Sequence, residues 1–298
     1  MNYISDVVFM FILSYIRILW DKLSPFLKTL TSKAKHASVD SDRKILNILH
    51  KSTNFIVVNK DYDVVINSDD PSVEVSLQTQ LHSVYPELVN HSLKHDFYFV
   101  HRLDYATSGV ICVALNKRAC SDATACFSAR RARKYYVALV RGHVAWESAR
   151  MDEAIGADGR EGGGSGSHRM CVASSPHCES PRPASTRAVV AQRGLYDGAP
   201  ATKLLLRPIT GRRHQLRVHC ASAGHTIVGD YTYSDRTDVA PYRMFLHALR
   251  LVLPIKSEPL DIRTDDSFTS HDPRNLWIPI ETVNTMDTSF EKLDSGDE

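Results

Sequence analysis

No Cys-x-x-Cys pair occurs in the 298 residues, which argues against a zinc knuckle, a zinc-dependent deaminase and a thioredoxin-like redox site. The six cysteines, Cys112, Cys120, Cys126, Cys171, Cys178 and Cys220, are scattered. A chain of this length builds a core without disulfides, so they read as free thiols in a reducing compartment. Cys112, inside an apolar run, reads as a small core residue. Dinucleotide-binding and metal-binding motifs are missing, and so is any internal repeat. Net charge is also scarce. At +2, it sets up no global field that announces a nucleic-acid partner.

Long apolar runs are lacking as well. The stretch at residues 7–20 is broken by Ser14, Tyr15 and Arg17 and is shorter than the about 20 residues that a bilayer span needs. Lys22, Lys28, Lys33 and Lys35 follow it. Three readings stay open for this segment: an interfacial membrane helix, an uncleaved targeting segment, or a helix packed on the domain surface, the last slightly favoured. It lacks the Arg- and Ser-rich character of a mitochondrial presequence.

What is present is an ordinary globular composition, 43% hydrophobic and 23% charged, enough for one large domain or two small ones. Residues 55–60 and 64–67 read as short strands around a turn, residues 76–85 as a helix stopped near Pro86, and residues 110–115 as a strand. Apolar spacing through Ala119, Ala123, Cys126 and Phe127 predicts a helix over residues 117–130. Strands follow at residues 135–140, 187–192 and 203–207. The Gly-, Ser- and Pro-rich stretch at 156–183 reads as a long surface excursion. Thr210 is a plausible cap for a helix through Ala223, with Gly224 as its stop. The end, residues 281–298, has one Lys among six acids and is expected to be disordered. Strands and helices alternate without a regular βαβ rhythm, so the fold class is α+β.

Three segments carry chemistry. In His101-Arg-Leu-Asp-Tyr-Ala-Thr-Ser-Gly109 a carboxylate sits beside an arginine in a polar turn. The bland reading is a capped turn with a surface ion pair, worth little. In Arg133-Lys-Tyr-Tyr-Val-Ala-Leu-Val-Arg-Gly142, strand alternation puts Tyr136, Ala138 and Val140 on one face and Tyr135, Val137 and Leu139 on the other. One tyrosine can therefore enter a site while its neighbour faces away, although strand aromatics are common. In Leu206-Arg-Pro-Ile-Thr-Gly-Arg-Arg-His-Gln-Leu-Arg-Val-His219, a helix would place His214, Arg213 and Arg217 together. His214 and His219 point apart and make a poor metal pair; a solvated basic helix is the bland alternative.

Taken together, and in this order, His101-Arg-Leu-Asp104 with Thr107-Ser-Gly109, Lys134-x-Tyr136-x-Ala138 and Thr210-Gly-Arg-x-His-Gln-Leu-Arg217 resemble the RluA family of RNA pseudouridine synthases. Gly224-His225, Gly229-Asp230 and Leu246-His-Ala248 extend the resemblance, which covers roughly residues 45–280. One departure is Lys60-Asp-Tyr-Asp63, where the family pattern is Lys-Pro-x-Gly.

The resemblance implies a largely antiparallel (mixed) central sheet flanked by helices, and a cofactor-independent, metal-free isomerase acting on RNA. It implies Asp104 as the catalytic carboxylate, Arg217 as its counter-charge and Tyr136 as the tyrosine that packs on the base. Arg102, Arg130, Arg131, Arg133, Lys134, Arg212, Arg213 and His214 are the expected RNA contacts, Arg102 helping to hold a flipped nucleotide. The expected division is an apolar and basic extension at 1–44, a catalytic domain at 45–280 and an acidic tail at 281–298. No S4-like RNA-binding domain is evident, so RNA selection is expected from the domain, its inserted loop or a partner. Membrane contact through residues 7–30 stays open, as does oligomeric state. The expected location is intracellular, cytoplasm or nucleus, with mitochondrial or membrane-associated as alternatives. The alternative function is a catalytically silent RNA-binding protein of the same fold.

Overall fold

In the computed structural model, residues 45–70, 72–161 and 169–295 are described. Their frame is an eleven-stranded sheet. Its main path runs β1 (Ile48–Lys51), β2 (Phe55–Lys60), β4 (Ser108–Ala114), β12 (Leu246–Leu253), β5 (Arg133–Arg141), β11 (Ala199–Pro208), β10 (Thr186–Tyr196) and β14 (Trp277–Thr282). Off this path, β3 (Tyr98–Phe99) pairs with β4, β6 (Ser148–Met151) with β10, and β13 (Leu260–Arg263) with β12. Only β4 and β12 pair in parallel within it. The sheet is thus mixed and largely antiparallel, in an α+β fold, as expected.

The central strands are apolar throughout because both faces are covered. On β4, Ile111 and Val113 enter one core, whereas Val110, Cys112 and Ala114 enter another. The second is closed by α2 (Lys117–Ser128), whose Ala119, Ala123 and Cys126 recur at helical spacing. Asn116 caps α2 by accepting from the Ala119 N–H. On β5, Tyr136, Ala138 and Val140 face the first core, and Tyr135, Val137 and Leu139 face a third. The alternation expected of the two tyrosines is present. Helix α1 (Leu77–Val84) starts with a Ser76/Thr79 capping box and buries Leu77 and Leu81.

Four expectations need correction. Residues 64–67 form no strand; Val65 makes only an isolated bridge to Ser76. Within the excursion at 156–183, a separate three-stranded sheet forms from β7 (Ile155–Asp158), β8 (Met170–Val172) and β9 (Cys178–Arg182). Helix α3 spans Gln215–Ser222 rather than starting after Thr210, because the Thr210 hydroxyl donates to Gln215 Oε1 at 2.6 Å and that oxygen also accepts from the Arg212 N–H. Residues 211–214 are therefore a loop.

The acidic end is the fourth. Residues 281 and 282 close β14, and α4 (Met286–Asp294) follows. Phe290 and Leu293 are buried in the third core, and Asp294 accepts from Tyr135 Oη at 2.6 Å and from Arg207 at 3.0 Å. Acid-rich composition misled here because two apolar residues at helical spacing find a pocket, and two arginines receive the carboxylate. No helix among the described residues is long and apolar enough to cross a membrane; residues 7–30 lie outside the described residues.

Candidate active site

Pairing register assembles the site. Gly109, Ala248, Tyr136 and Leu206 lie side by side across β4, β12, β5 and β11. The turn bearing Asp104 leads into β4, and the loop bearing Arg212, Arg213 and His214 leaves β11, so both open over the Tyr136 ring. Gly109 is required at this crossing. Its φ is +114°, and a Cβ there would lie 2.2 Å from the Ala248 carbonyl oxygen.

The result is a cleft of about 590 Å³ whose walls include Asp104, Tyr136, Arg217, Lys134, His214 and Leu246. Arg102, Arg130, Arg212 and Arg213 also line it. Arg131 is exposed but does not line the cleft. Arg133 lies on the opposite face of β5 from Lys134 and pairs with Asp294 at 3.3 Å. The structure thus brings together six of the eight expected RNA contacts and leaves Arg131 and Arg133 outside.

Beneath the Asp104 turn lies a buried polar layer. Lys60, 2% exposed, donates from Nζ to the carbonyls of Asp61, Val64 and Tyr105. Burial pulls its pKa down to about 7, against the pull of nearby carboxylates. Ser108 Oγ meets His247 Nδ1 at 2.7 Å and receives a hydrogen bond from Arg243, while His247 Nε2 meets Thr264 Oγ1 at 2.6 Å. Burial and then the Arg243 charge push His247 down to about 3, so it is neutral. His101 Nε2 accepts the Cys112 N–H at 2.9 Å. This layer fixes the backbone on both sides of Asp104.

Asp104 keeps 20% of its side chain exposed, toward the cleft. Arg217 NH1 approaches its Oδ2 at 3.4 Å. The expected pair exists, but it is not Arg217's main bond. Arg217 Nε and NH2 donate to the two Asp230 oxygens at 2.7 and 2.8 Å, and the Asp230 side chain is fully buried. Burial opposes the guanidinium charge, yet Asp230 outweighs it and holds the pKa above its usual value. A bidentate carboxylate therefore aims the remaining corner of the fork at Asp104. Tyr136 is pushed up by burial and then by the Asp104 charge, so its phenol is protonated at neutral pH. Burial lowers Lys134.

Spacing along the chain did not announce Asp230 or Tyr233. Gly229-Asp230 was visible as part of a motif, but nothing local tied it to Arg217. Tyr233 Oη lies 3.0 Å from His214 Nδ1, and the Arg217 guanidinium stands 5.0 Å from the Tyr233 ring centre. Among the described residues, no three His, Cys, Asp or Glu side chains are grouped to hold a metal ion.

A carboxylate one-fifth exposed under a fixed guanidinium, beside a flat tyrosine ring and in an arginine-rimmed cleft, fits an RNA-modifying isomerase. Residues 54–222 match the family described as RNA pseudouridylate synthase. The chain belongs to that family. It is similar to RNA pseudouridylate synthase domain-containing protein 1 of Danio rerio, 47% identical over 249 residues, with 83% of each chain covered. It is also similar to the dual-specificity RNA pseudouridine synthase RluA of Escherichia coli, 33% identical over 211 residues, covering 70% of this chain and 86% of that protein. The solved human RNA Pseudouridylate Synthase Domain Containing 1 superposes with a TM-score of 0.72 at 40% identity, covering 84% of this chain and 95% of that one.

Proposed function

We propose that the protein isomerises uridine to pseudouridine in RNA, with Asp104 as the attacking carboxylate. The observation that carries this reading is the placement of Asp104, Tyr136 and Arg217 in one cleft although they come from three distant segments. The target nucleotide leaves its stack and enters the cleft, while Arg102, Arg130, Arg212 and Arg213 receive flanking phosphates. Asp104 forms a covalent bond to the nucleotide, and the N1–C1′ glycosidic bond breaks. The base turns, C5 bonds to C1′ as the bond to Asp104 breaks and frees the carboxylate, the C5 proton leaves, and N1 takes up a proton. No electrons are gained or lost.

Tyr136 gives the base a wall to pack on. While Asp104 is ionised, its charge helps keep the Tyr136 phenol protonated. Arg217 gives the Asp104 carboxylate a fixed counter-charge 3.4 Å away.

The decisive experiment uses RNA from cells lacking the protein as substrate. Purified protein should form pseudouridine, and Asp104→Asn should abolish turnover while RNA affinity and thermal stability stay near wild type. If the Asn variant kept wild-type turnover, the mechanism would be wrong. Binding without turnover by the wild type on every RNA would instead indicate a silent RNA-binding protein.

A further inference from the structure

His214 stands apart from the other residues of its loop. Its backbone adopts a left-handed conformation, φ 54° and ψ 17°, at the N-cap of α3 with no side-chain cap hydrogen bond. Such a conformation is costly for a residue with a Cβ and is retained where surroundings impose it. Here it points the imidazole inward. Nδ1 lies 3.0 Å from Tyr233 Oη, and Nε2 lies 4.0 Å from Asp104 Oδ2.

Tyr233 settles which nitrogen carries the proton. Its oxygen receives the Met170 N–H from β8 at 3.0 Å, and a backbone amide can only donate. The phenolic proton then needs an acceptor. Tyr233 is 8% exposed, and its other hydrogen-bond neighbour is His214 Nδ1. Placing the phenolic proton on that bond satisfies both groups and leaves Nε2 protonated, facing Asp104.

We infer that His214 is a neutral Nε2–H donor to the Asp104 carboxylate, and that Tyr233 is the positioning residue that sets its tautomer. The inference rests on the reading of Asp104 as the attacking group and adds a second, uncharged hold on it beside Arg217. Burial and the neighbouring Arg217 charge pull His214 down to about 4, against the Asp104 charge that would raise it, so the ring stays neutral near pH 7. Burial raises the Tyr233 phenol, so it keeps its proton. A neutral donor orients the carboxylate without adding a second ion pair to the one with Arg217. The 4.0 Å separation is expected to shorten when substrate fills the cleft, as hydrogen bonds in empty active sites do. The small sheet also enters the site this way, because the Met170 amide of β8 pins the phenol and Arg169 ties that sheet to the Thr232 carbonyl at 2.6 Å.

The test uses the full chain with 15N-labelled histidine, His214 being assigned by loss of its signals in His214→Gln. At pH 7 the wild type should show an unprotonated Nδ1 and a protonated Nε2. The opposite tautomer, or a charged ring, overturns the inference. Tyr233→Phe keeps the ring beside His214 and Arg217 but removes the hydroxyl. It should mix the His214 tautomers and lower kcat by about tenfold to a hundredfold, the scale on which a slightly misplaced reacting group acts, with KM for RNA unchanged. An unchanged tautomer with unchanged kcat overturns it. Asp104→Ala should shift the His214 Nε2–H resonance, and no shift would mean that the donor does not address Asp104. The spectra need no turnover, so a protein inactive on every RNA would refute the proposed function and leave the tautomer result readable.

Discussion

A single residue, Arg217, shows how the site couples stability to chemistry. Its fork is committed to Asp230 on two corners and to Asp104 on the third. Arg217→Ala would strand Asp230, whose side chain has no solvent exposure. Loss of one partner from a buried pair costs about 3–5 kcal/mol. Urea unfolding of Arg217→Ala should show a loss of that size together with lost turnover, whereas Asp104→Asn should lose turnover alone. Arg217→Lys keeps a charge without the planar fork and should fall between wild type and Ala. Turnover lost without any change in stability would mean that Asp230 is not the anchor. The sequence pointed to Arg217 and Asp104 through their motifs. It could not show Asp230 as the stronger partner, because side chains thirteen residues apart meet only through the loop that follows α3.

At the scale of the element, α4 decides what Arg133 does. Asp294 at its end draws Arg133, Arg207 and Tyr135 to the face of the sheet away from the cleft. Phe290 packs edge-on against Tyr135 with ring centres 5.0 Å apart. Phe290→Ala should destabilise the domain by about 3–5 kcal/mol, as for other buried aromatic truncations, measured by chemical denaturation. RNA binding gives the companion test. Arg130→Ala should lower affinity in a salt-dependent way and reduce the salt slope by about one, whereas Arg133→Ala should leave that slope alone. Equal effects would place Arg133 on the RNA after all. Residues 281–298 read as disordered from their charge; over 286–294 two buried side chains outweighed that charge, and residues 296–298 lie outside the described residues.

Over the whole molecule, buried neutral imidazoles should set the acid limit of stability. His101 and His247 are both held down to about 3 and His214 to about 4, against about 6.5 in an unfolded chain. Between those values the unfolded state binds protons that the native state refuses. Stability is therefore fully present above pH 6.5 and declines as pH falls toward 4, by about 1.4 kcal/mol per pH unit for each group well below its unfolded pKa. Urea midpoints at pH 7 and pH 5 should differ clearly, with the native state weaker at pH 5. Equal midpoints would show that these rings are not buried in their neutral form.

By itself the sequence determined the family, the α+β class and the three segments that carry Asp104, Tyr136 and Arg217, because short motifs and strand alternation are local properties. It also determined which of Tyr135 and Tyr136 could enter the site once one face was assigned. Only the tertiary structure decided the rest. The side-by-side register of Gly109, Ala248, Tyr136 and Leu206 brings distant loops over one ring. Gln215 captures Thr210 and shortens α3. Asp230 takes the Arg217 fork, and Tyr233 orients His214. Apart from the Thr210–Gln215 bond, which spans five residues, each of these depends on contacts between residues well separated along the chain. Which polar group finds which partner is settled by where the sheet and its loops place them, and local spacing carries no record of that.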